Sequence, residues 1–468
     1  MLTLKPDTLV ILSLPFQRLI RSHLSPVLLE ILTKRADVVV VSPFAERPDF
    51  VDRYKGERIT HLMARTPESL PSLSRKFVTI SNTLRVRGYW CRNRKRLPYY
   101  WASRNIGFGE NGNDTVVSLP KRMVMDILGW VGCWPRAWVF LDSLIGRASF
   151  DIPRVANLAD SYDRVTLIQA ASWGFQDKAL AWMGRKYKWR TVFLPYTTDQ
   201  LFCNGYLYSD FDAICVQGPA ERQFAVVLHG LEVERIVNSG SLSFLSMRKA
   251  LMSRPVECKS IDGKRRVLFA GSTATHYPSE SEFDCLEHLL RAVEIGELKN
   301  TVITYRPVGH TSEIRGLIER RFAGRKCLDI AYPSPSIYWL NEHSPTKWED
   351  ILNEHLESIA GYDLAIMVGV TSLALDLTIY GTPSIAYFDD PSGTLQRRKT
   401  DFRFDGNGKI VGFEDIPTVL RKDHLVPAIK LLFYDSIERR RIAGDIAARW
   451  DYNPPNILEL LDAAVFGH

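Results

Sequence analysis

Residues 361–388 read GYDLAIMVGVTSLALDLTIYGTPSIAYF, and their pattern predicts a strand, a tight turn, a helix and a second strand. The apolar run 364–368 is typical of a parallel strand that is covered on both faces. The predicted helix opens at Gly369-Val370-Thr371-Ser372, where free backbone N–H groups and the helix dipole attract an anion such as a diphosphate. The alternative is that Thr371 or Ser372 only caps its own helix.

The same alternation of strands and helices extends over most of the chain. Strands are predicted at 8–12, 37–41, 165–169, 191–194, 213–216 and 235–238, and again at 267–270, 301–305, 327–330, 364–368 and 384–387. At 468 residues the chain is too long for one ordinary core. The pattern therefore predicts an α/β protein with two Rossmann-like, doubly wound parallel-sheet domains that face each other across a cleft.

The domain boundaries follow from breaks in this alternation. We expect a first domain over 1–241, a polar and basic linker over 242–265, and a second domain over 266–449. The region before the strand at 165–169 is expected to be less regular, apart from a helix near 122–130. Residues 450–468 are expected to form a last helix that crosses back to the first domain.

Composition excludes several classes of protein. The chain is 46% hydrophobic and 24% charged, which is close to the average for globular proteins and unlike disordered or fibrous ones. Its seven cysteines form no CxxC pair, so we expect reduced thiols, a cytoplasmic location and no structural zinc. We expect no signal peptide, and no apolar run reaches the roughly 18 residues of a spanning helix.

Positive charge is concentrated in one segment. The net charge is +7, yet residues 69–109 carry nine Lys and Arg side chains and no Asp or Glu. Aromatic residues are interleaved with them, a mixture that suits anionic lipid headgroups. The residues assigned to a membrane-facing surface are Arg85, Arg87, Trp90, Arg92, Arg94, Lys95, Arg96 and Trp101. The alternatives are a solvated helix with its aromatics in the core, or a nucleic-acid surface. We expect no nucleic-acid partner, because the chain offers no recognition module.

Three loops of the second domain should meet at the carboxyl edge of its sheet. The candidate donor-binding residues are Gly271, Ser272 and Thr273 in the first loop, Arg306 and His310 in the second, and Thr371, Ser372 and Asp376 in the third. Small residues let a phosphate approach the backbone, and the planar fork of an arginine donates two parallel hydrogen bonds to it. The alternatives are a salt bridge for Arg306, a helix cap for His310 and a solvated carboxylate for Asp376.

Taken together, RPVGH at 306–310, GVTSLALD at 369–376 and GTPSIAYF at 381–388 resemble the carboxyl-terminal domain of GT-B glycosyltransferases. More narrowly, the chain resembles bacterial surface-polysaccharide transferases related to the CDP-glycerol glycerophosphotransferases, over about 162–388. The resemblance implies that Arg306 and His310 lie near the donor phosphates and that Thr371 and Ser372 hold the diphosphate. Val308-Gly309 stands where that family has a His-Pro pair, which displaces His310 by two positions.

The activity that this resemblance implies is transfer of a sugar from a nucleotide-sugar donor to a cell-envelope polysaccharide or a lipid-linked glycan. No cofactor or essential metal is expected beside the nucleotide-sugar or CDP-alcohol co-substrate, and the enzyme would sit peripherally on the inner face of the cytoplasmic membrane. The alternatives are a CDP-glycerol-type phospho-polyol transferase, a sugar-nucleotide epimerase or a non-catalytic scaffold. The doubled-glycine turn of the non-hydrolysing epimerases is absent.

Transfer to a hydroxyl group needs a base to accept its proton unless configuration is retained. Asp199 follows the predicted strand 191–194 and is the candidate catalytic base, with helix capping as its alternative. His23 is a rival, although it is expected to lie within the first helix and to point away from the cleft.

Overall fold

The computed structural model describes residues 7–16, 19–64, 67–96, 106–108, 114–116, 118–171, 174–197, 200–203, 205–208, 210–253, 263–272, 279–308, 312–332, 348–369, 372–388, 414–450 and 456–467. Five of the predicted site residues lie outside these ranges, namely Trp101, Asp199, Thr273, His310 and Thr371.

Two parallel sheets form the framework, so the predicted fold class is confirmed. The strands are β1 (Thr8–Ser13), β2 (Asp37–Ser42), β3 (Ile59–Met63), β4 (Ile106–Phe108), β5 (Asp114–Val116), β6 (Arg164–Gln169), β7 (Arg190–Phe193), β8 (Ala213–Val216), β9 (Ile236–Asn238), β10 (Arg265–Ala270), β11 (Thr301–Arg306), β12 (Leu328–Ile330), β13 (Leu364–Val368), β14 (Ser384–Tyr387) and β15 (Thr418–Val419). The first sheet has the order β3-β2-β1-β6-β7-β8-β9, and the second has the order β12-β11-β10-β13-β14-β15. Strands β4 and β5 pair with each other in a short antiparallel ribbon.

Helices cover the faces of both sheets. They are α1 (Ile20–His23), α2 (Pro26–Arg35), α3 (Pro48–Arg53), α4 (Ser72–Arg92), α5 (Leu119–Gly132), α6 (Pro135–Phe150), α7 (Pro153–Ala159), α8 (Phe175–Tyr187), α9 (Gln200–Cys203), α10 (Pro219–His229), α11 (Leu242–Ser253), α12 (Ser279–Glu294), α13 (Ser312–Phe322), α14 (Trp348–Ile359), α15 (Leu373–Asp376), α16 (Leu425–Tyr434), α17 (Ser436–Trp450) and α18 (Ile457–Phe466). Because helices lie over both faces, the central strands are buried over most of their length and carry apolar runs. All five residues of β13 are buried, as its sequence LAIMV predicts.

A layer of three helices replaces the irregular region expected before β6. The long helix α4 packs against both α5 and α6. The backbones of α4 and α5 approach so closely that a Cβ added at Gly88 would lie 1.9 Å from the carbonyl oxygen of Gly132. Two glycines therefore decide this crossing, because any larger side chain would push the helices apart.

The connection between the two sheets is more ordered than its composition indicates. Residues 242–253 of the expected linker form α11, where Met247 is fully buried, and this helix packs against α14 of the second sheet. The last helix, α18, packs in the core of the first sheet, where Thr166 Oγ1 donates a hydrogen bond to the carbonyl oxygen of Val465 at 3.1 Å.

None of the helices in the described part of the chain is both long enough and apolar enough to cross a membrane.

Candidate functional site at the carboxyl edge of the second sheet

The strand order of the second sheet reverses between β10 and β13. In doubly wound sheets, ligands bind outside the carboxyl ends of the strands at such a switch point. Ala270 at the end of β10 pairs with Arg306 of β11 on one side and with Met367 of β13 on the other. The three loops that the sequence assigned to donor binding therefore begin side by side at this edge.

Arg306 is the most unusual residue of this edge. Only 3% of it is exposed, and its backbone carbonyl accepts a hydrogen bond from the N–H of Gly271 at 2.9 Å. Both terminal guanidinium nitrogens are buried and have no hydrogen-bond partner among the described residues. The expected alternative, a salt bridge to a neighbouring loop, is therefore not made within that part of the chain. A buried cation without a partner is costly, which indicates a place for an anion.

The loop after β10 is built differently from the phosphate loop that the sequence suggested. The N–H of Ser272 donates to a carboxylate oxygen of Glu282 on α12 at 2.8 Å, and the hydroxyl of Tyr305 donates to the other oxygen. A Cβ added at Gly271 would lie 2.3 Å from Glu282 Oε1. Burial raises the pKa of Glu282, while these two hydrogen bonds act in the opposite direction. Gly271 thus makes room for a protein carboxylate, which corrects the expectation that this backbone is open to a phosphate.

Gly369 and Ser372 are the described residues on either side of the turn after β13. Gly369 has a φ of +80°, a left-handed conformation that favours glycine, and its N–H donates to the carbonyl of Tyr387 at 2.9 Å. Ser372 precedes the short helix α15, but its exposed side chain makes no capping hydrogen bond. The capping alternative therefore does not hold for Ser372, and its hydroxyl faces outward next to the switch point.

Asp376 was expected either to contribute to donor binding or to be a solvated helix carboxylate, and the structure places it differently. It is 7% exposed, so it is not a solvated helix carboxylate. One of its oxygens lies 3.1 Å from Nε2 of His355 on α14, which is 4% exposed. The pair joins α14 to α15, so this carboxylate oxygen has a partner within the fold.

The carboxyl edge of the first sheet carries a buried polar network at its own switch point, between β1 and β6. The hydroxyl of Ser13 donates to Asp177 Oδ1 at 2.8 Å, and Gln176 Nε2 donates to Ser13 Oγ at 2.9 Å. Burial raises the pKa of Asp177 to about 8, and the Ser13 hydrogen bond acts in the opposite direction. Asp177 is fully buried, so it organises this edge and does not present a base to the solvent.

A second buried charge lies next to it on α8. Lys178 Nζ lies 2.8 Å from Asp142 Oδ1, and both side chains are 1% exposed. Nζ also donates to Ser81 Oγ at 2.6 Å and to Asn82 Oδ1 at 3.2 Å. Burial lowers the pKa of Lys178 to about 8, and the Asp142 charge acts in the opposite direction. This network joins α4, α6 and α8.

His23 is not available as a base. It is fully buried, and Nε2 lies 2.8 Å from the carbonyl oxygen of Leu194. Burial lowers the pKa of His23 to about 4, although the hydrogen bond to the backbone carbonyl of Leu194 acts in the opposite direction. Asp199, the preferred candidate, stays a prediction.

The structure buries some residues of the predicted membrane-facing surface and exposes others. Arg85 and Trp90 are 1% and 2% exposed, so neither can meet a membrane. Arg85 donates to the carbonyl of Tyr206, and its guanidinium lies 4.3 Å from the ring centre of Tyr208. Arg85 therefore packs against residues 205–208, and Trp90 belongs to the hydrophobic core. Of the remaining described members, Arg87 is half-buried, and four are exposed, namely Arg92, Arg94, Lys95 and Arg96.

Three residues of these edges escaped the sequence reasoning, namely Glu282, His355 and Asp177. A signal existed for Glu282 and Asp177, because each carboxylate lies in the first turn of a helix that follows a central strand. Nothing in the sequence marks His355, since a lone histidine within an amphipathic helix has no distinctive spacing. Among the described residues, no group of three or more His, Cys, Asp or Glu side chains could hold a metal ion.

No protein-family model matches the chain, and no curated protein matches it either. Solved structures do resemble it. The Staphylococcus aureus MnaA structure with UDP aligns with a TM-score of 0.52 at 8% identity, covering 97% of this chain and 94% of that one. The UDP-GlcNAc 2-epimerase of Neisseria meningitidis with UDP-GlcNAc gives 0.47 at 9% identity, covering 98% and 100%. The wall teichoic acid polymerase TagF with CDPG gives 0.45 at 10% identity, covering 98% and 88%.

At such identities the resemblance concerns the fold alone, and of these three alignments the one with the S. aureus protein has a TM-score above 0.5. Together with the two doubly wound sheets, it defines the chain as a two-domain protein of the GT-B type.

Proposed function

We propose that this protein is a glycosyltransferase of the GT-B type that moves a sugar from a nucleotide-sugar donor to a cell-envelope polysaccharide or a lipid-linked glycan. The observation that carries the proposal is Arg306, whose guanidinium is buried at the switch point without a partner in the described chain. A diphosphate is the anion that its planar fork fits, because two parallel hydrogen bonds can form.

Such a site also supports the chemistry of transfer. The leaving nucleotide gains negative charge as the glycosidic bond to its phosphate breaks, and a fixed cation in a dry site stabilises that charge. The exposed Ser372 borders the same edge and would offer its hydroxyl as a hydrogen-bond donor to the phosphates. The resemblance to a protein solved with UDP supports a nucleotide as the donor.

The acceptor side follows from the same fold. The first domain would bind the glycan, and Asp199 stays our candidate for the base that accepts the proton of its hydroxyl group. With positive side chains serving the leaving group, the proposed reaction needs no essential metal. A lipid-linked acceptor would place the enzyme peripherally on the inner face of the cytoplasmic membrane.

Arg306→Met tests the donor site. Isothermal titration with UDP, CDP and their sugar or glycerol conjugates should find at least one ligand for the wild type. The variant should raise its dissociation constant roughly 10- to 100-fold, because a hydrogen bond to a charged group contributes about 1.5–3 kcal/mol. Arg320→Met is the matched control, since Arg320 is exposed on α13 of the same domain and should keep full affinity.

Product analysis then separates the enzyme classes. Mass spectrometry of reactions with an acceptor should show an added sugar, whereas an added phosphoglycerol would indicate a phospho-polyol transferase. Turnover of the donor without any acceptor would indicate an epimerase. If no nucleotide conjugate binds the wild type, or if Arg306→Met binds as tightly as the wild type, the proposal is wrong and a scaffold role takes its place.

A further inference from the structure

Exposed apolar side chains are concentrated on helix α5. Leu119, Met123, Ile127 and Trp130 are 70%, 58%, 59% and 67% exposed. At this spacing they lie on one side of the helix. The opposite side carries Gly132, which meets α4. Helix α5 thus packs by one side and leaves an apolar stripe in solvent.

The stripe continues into the turn and the next helix. Trp134 in the turn is 65% exposed, and Phe140 and Leu144 of α6 are 62% and 65% exposed. Eight of the twenty large apolar side chains that are exposed in the described chain lie within 119–144, so this is a concentration rather than scatter. Tryptophan is the residue that prefers the boundary between lipid chains and headgroups.

Positive charge borders this apolar surface. Arg92, Arg94 and Lys95 follow one another at the exposed carboxyl end of α4. Cys133 Sγ lies 3.6 Å from the carbonyl oxygen of Gly88 on α4, about one helical turn before Arg92 at the end of that helix. Cys133 belongs to the turn between Trp130 and Trp134. Basic and aromatic side chains therefore meet at one place.

We propose that the apolar side of α5, the α5–α6 turn and the basic end of α4 form a docking surface for an anionic lipid bilayer. A second copy of the chain fits less well, because a two-fold contact would bring the same positive cluster close to itself. Single-stranded nucleic acid would use the charges and aromatics but not an aliphatic stripe. This inference depends on the proposed function in one respect only, namely that docking gives the enzyme access to a membrane-borne acceptor.

Vesicle co-sedimentation tests the surface with the full chain and no nucleotide. The wild type should bind vesicles of phosphatidylglycerol and phosphatidylcholine, and bind pure phosphatidylcholine more weakly. Trp130→Ser with Trp134→Ser should lower the affinity by about tenfold for each tryptophan, because each loses the burial of a large side chain. Arg94→Gln with Lys95→Gln should lower it roughly fivefold for each charge, and only on anionic vesicles.

Matched controls separate this surface from exposed apolar or basic residues in general. Leu431→Ser with Ile437→Ser removes two side chains that are 63% and 72% exposed in the second domain, and should leave vesicle binding unchanged. Arg320→Gln with Arg440→Gln removes two exposed charges and should also leave vesicle binding unchanged. Circular dichroism should show the same melting temperature for every variant, since all the substituted side chains are exposed.

Several results would overturn the inference. The first is a wild type that stays in the supernatant, and the second is a tryptophan variant that binds vesicles as tightly as the wild type. The third is a wild type that is a dimer in light scattering and a tryptophan variant that is a monomer, with neither protein binding vesicles. Charge-dependent binding of single-stranded nucleic acid without vesicle binding would also overturn it. Arg306→Met should keep vesicle binding, and the tryptophan variant should keep donor binding. Failure of one proposal is therefore distinguishable from failure of the other.

Discussion

The carboxyl edges of the two sheets differ in how their buried ionisable side chains are paired. At the first sheet, Lys178 has Asp142, Ser81 and Asn82 as partners, and Asp177 accepts a hydrogen bond from Ser13. At the second sheet, Arg306 is buried to a similar degree, yet its terminal nitrogens have no partner among the described residues.

In our proposal, this difference separates charges that serve the fold from a charge that binds a ligand. A paired buried charge joins the elements that carry its partners, as Lys178 joins α8 to α4 and α6. A buried charge without a partner destabilises the free protein, and such a cost is common where a ligand later supplies the missing contact. Burial alone does not distinguish the two cases, whereas the pairing does.

The largest expected effect comes from breaking the first-sheet network. Lys178→Met should lower the free energy of unfolding by about 3–5 kcal/mol, because it leaves Asp142 buried without its countercharge. Urea denaturation followed by circular dichroism measures the loss. The double variant Lys178→Met with Asp142→Leu should recover most of it, since both charges are then absent.

Arg306→Met is the matching change at the second sheet. Without nucleotide it should leave the unfolding free energy unchanged or raise it, because it removes a buried charge that lacks a described partner. A loss as large as that of Lys178→Met would mean that Arg306 serves the fold, and the contrast between the two edges would disappear.

The next effect concerns pH. Burial raises the pKa of Asp177 to about 8 from an ordinary value of 3.8. Between these values the folded protein keeps a proton that the unfolded chain has lost, so stability should fall as pH rises. We expect a fall of about 1–3 kcal/mol between about pH 5 and pH 7, and a flatter profile for Asp177→Asn.

Thermal unfolding at a series of pH values below 8 checks this prediction. The upper bound matters because the pKa of Lys178 is lowered to about 8, which adds an effect of opposite sign above that pH. The Ser13 hydrogen bond and the Arg85 charge both favour the charged form of Asp177, so their loss should extend the fall in stability to higher pH. Identical profiles for wild type and Asp177→Asn would contradict the assignment.

The smallest effect separates a helix cap from a ligand contact. Ser372→Ala should change the unfolding free energy by less than about 0.5 kcal/mol, because its hydroxyl caps nothing. Ser25→Ala is the matched control and should cost about 1 kcal/mol, since Ser25 caps α2 by accepting from the N–H of Leu28.

Nucleotide titration completes the comparison for Ser372. Its removal should weaken donor binding about fivefold, the effect of one neutral hydrogen bond. If Ser25→Ala and Ser372→Ala lowered the unfolding free energy equally, and nucleotide affinity stayed unchanged, Ser372 would be a helix cap.

Much of the fold could be read from the sequence. The strand predicted at 364–368 coincides with β13, and those at 213–216 and 384–387 coincide with β8 and β14. Fully buried parallel strands need uninterrupted apolar runs, and that requirement is visible without a structure. Helix α4 was considered only as the alternative for the basic segment, because its many charged and polar residues obscure its apolar positions, and α6 was not predicted.

The site could be located from the sequence but not completed. The position of Arg306 after a central strand already places it at the carboxyl edge, since parallel strands all end on the same side. The partners of Ser272 and Asp376 could not be predicted, because Glu282 and His355 lie on helices whose packing decides which way they face.

By itself, the sequence determined which segments form the inner strands of the two sheets and which charged and hydroxyl residues follow them, because strand polarity and apolar runs are local properties. Only the tertiary structure decided which charges are paired. It buried Arg85 and Trp90, exposed Trp130 and Trp134, and left Arg306 without a described partner. The reason is physical: exposure and pairing depend on what packs against a side chain, and neighbours distant in sequence supply that packing.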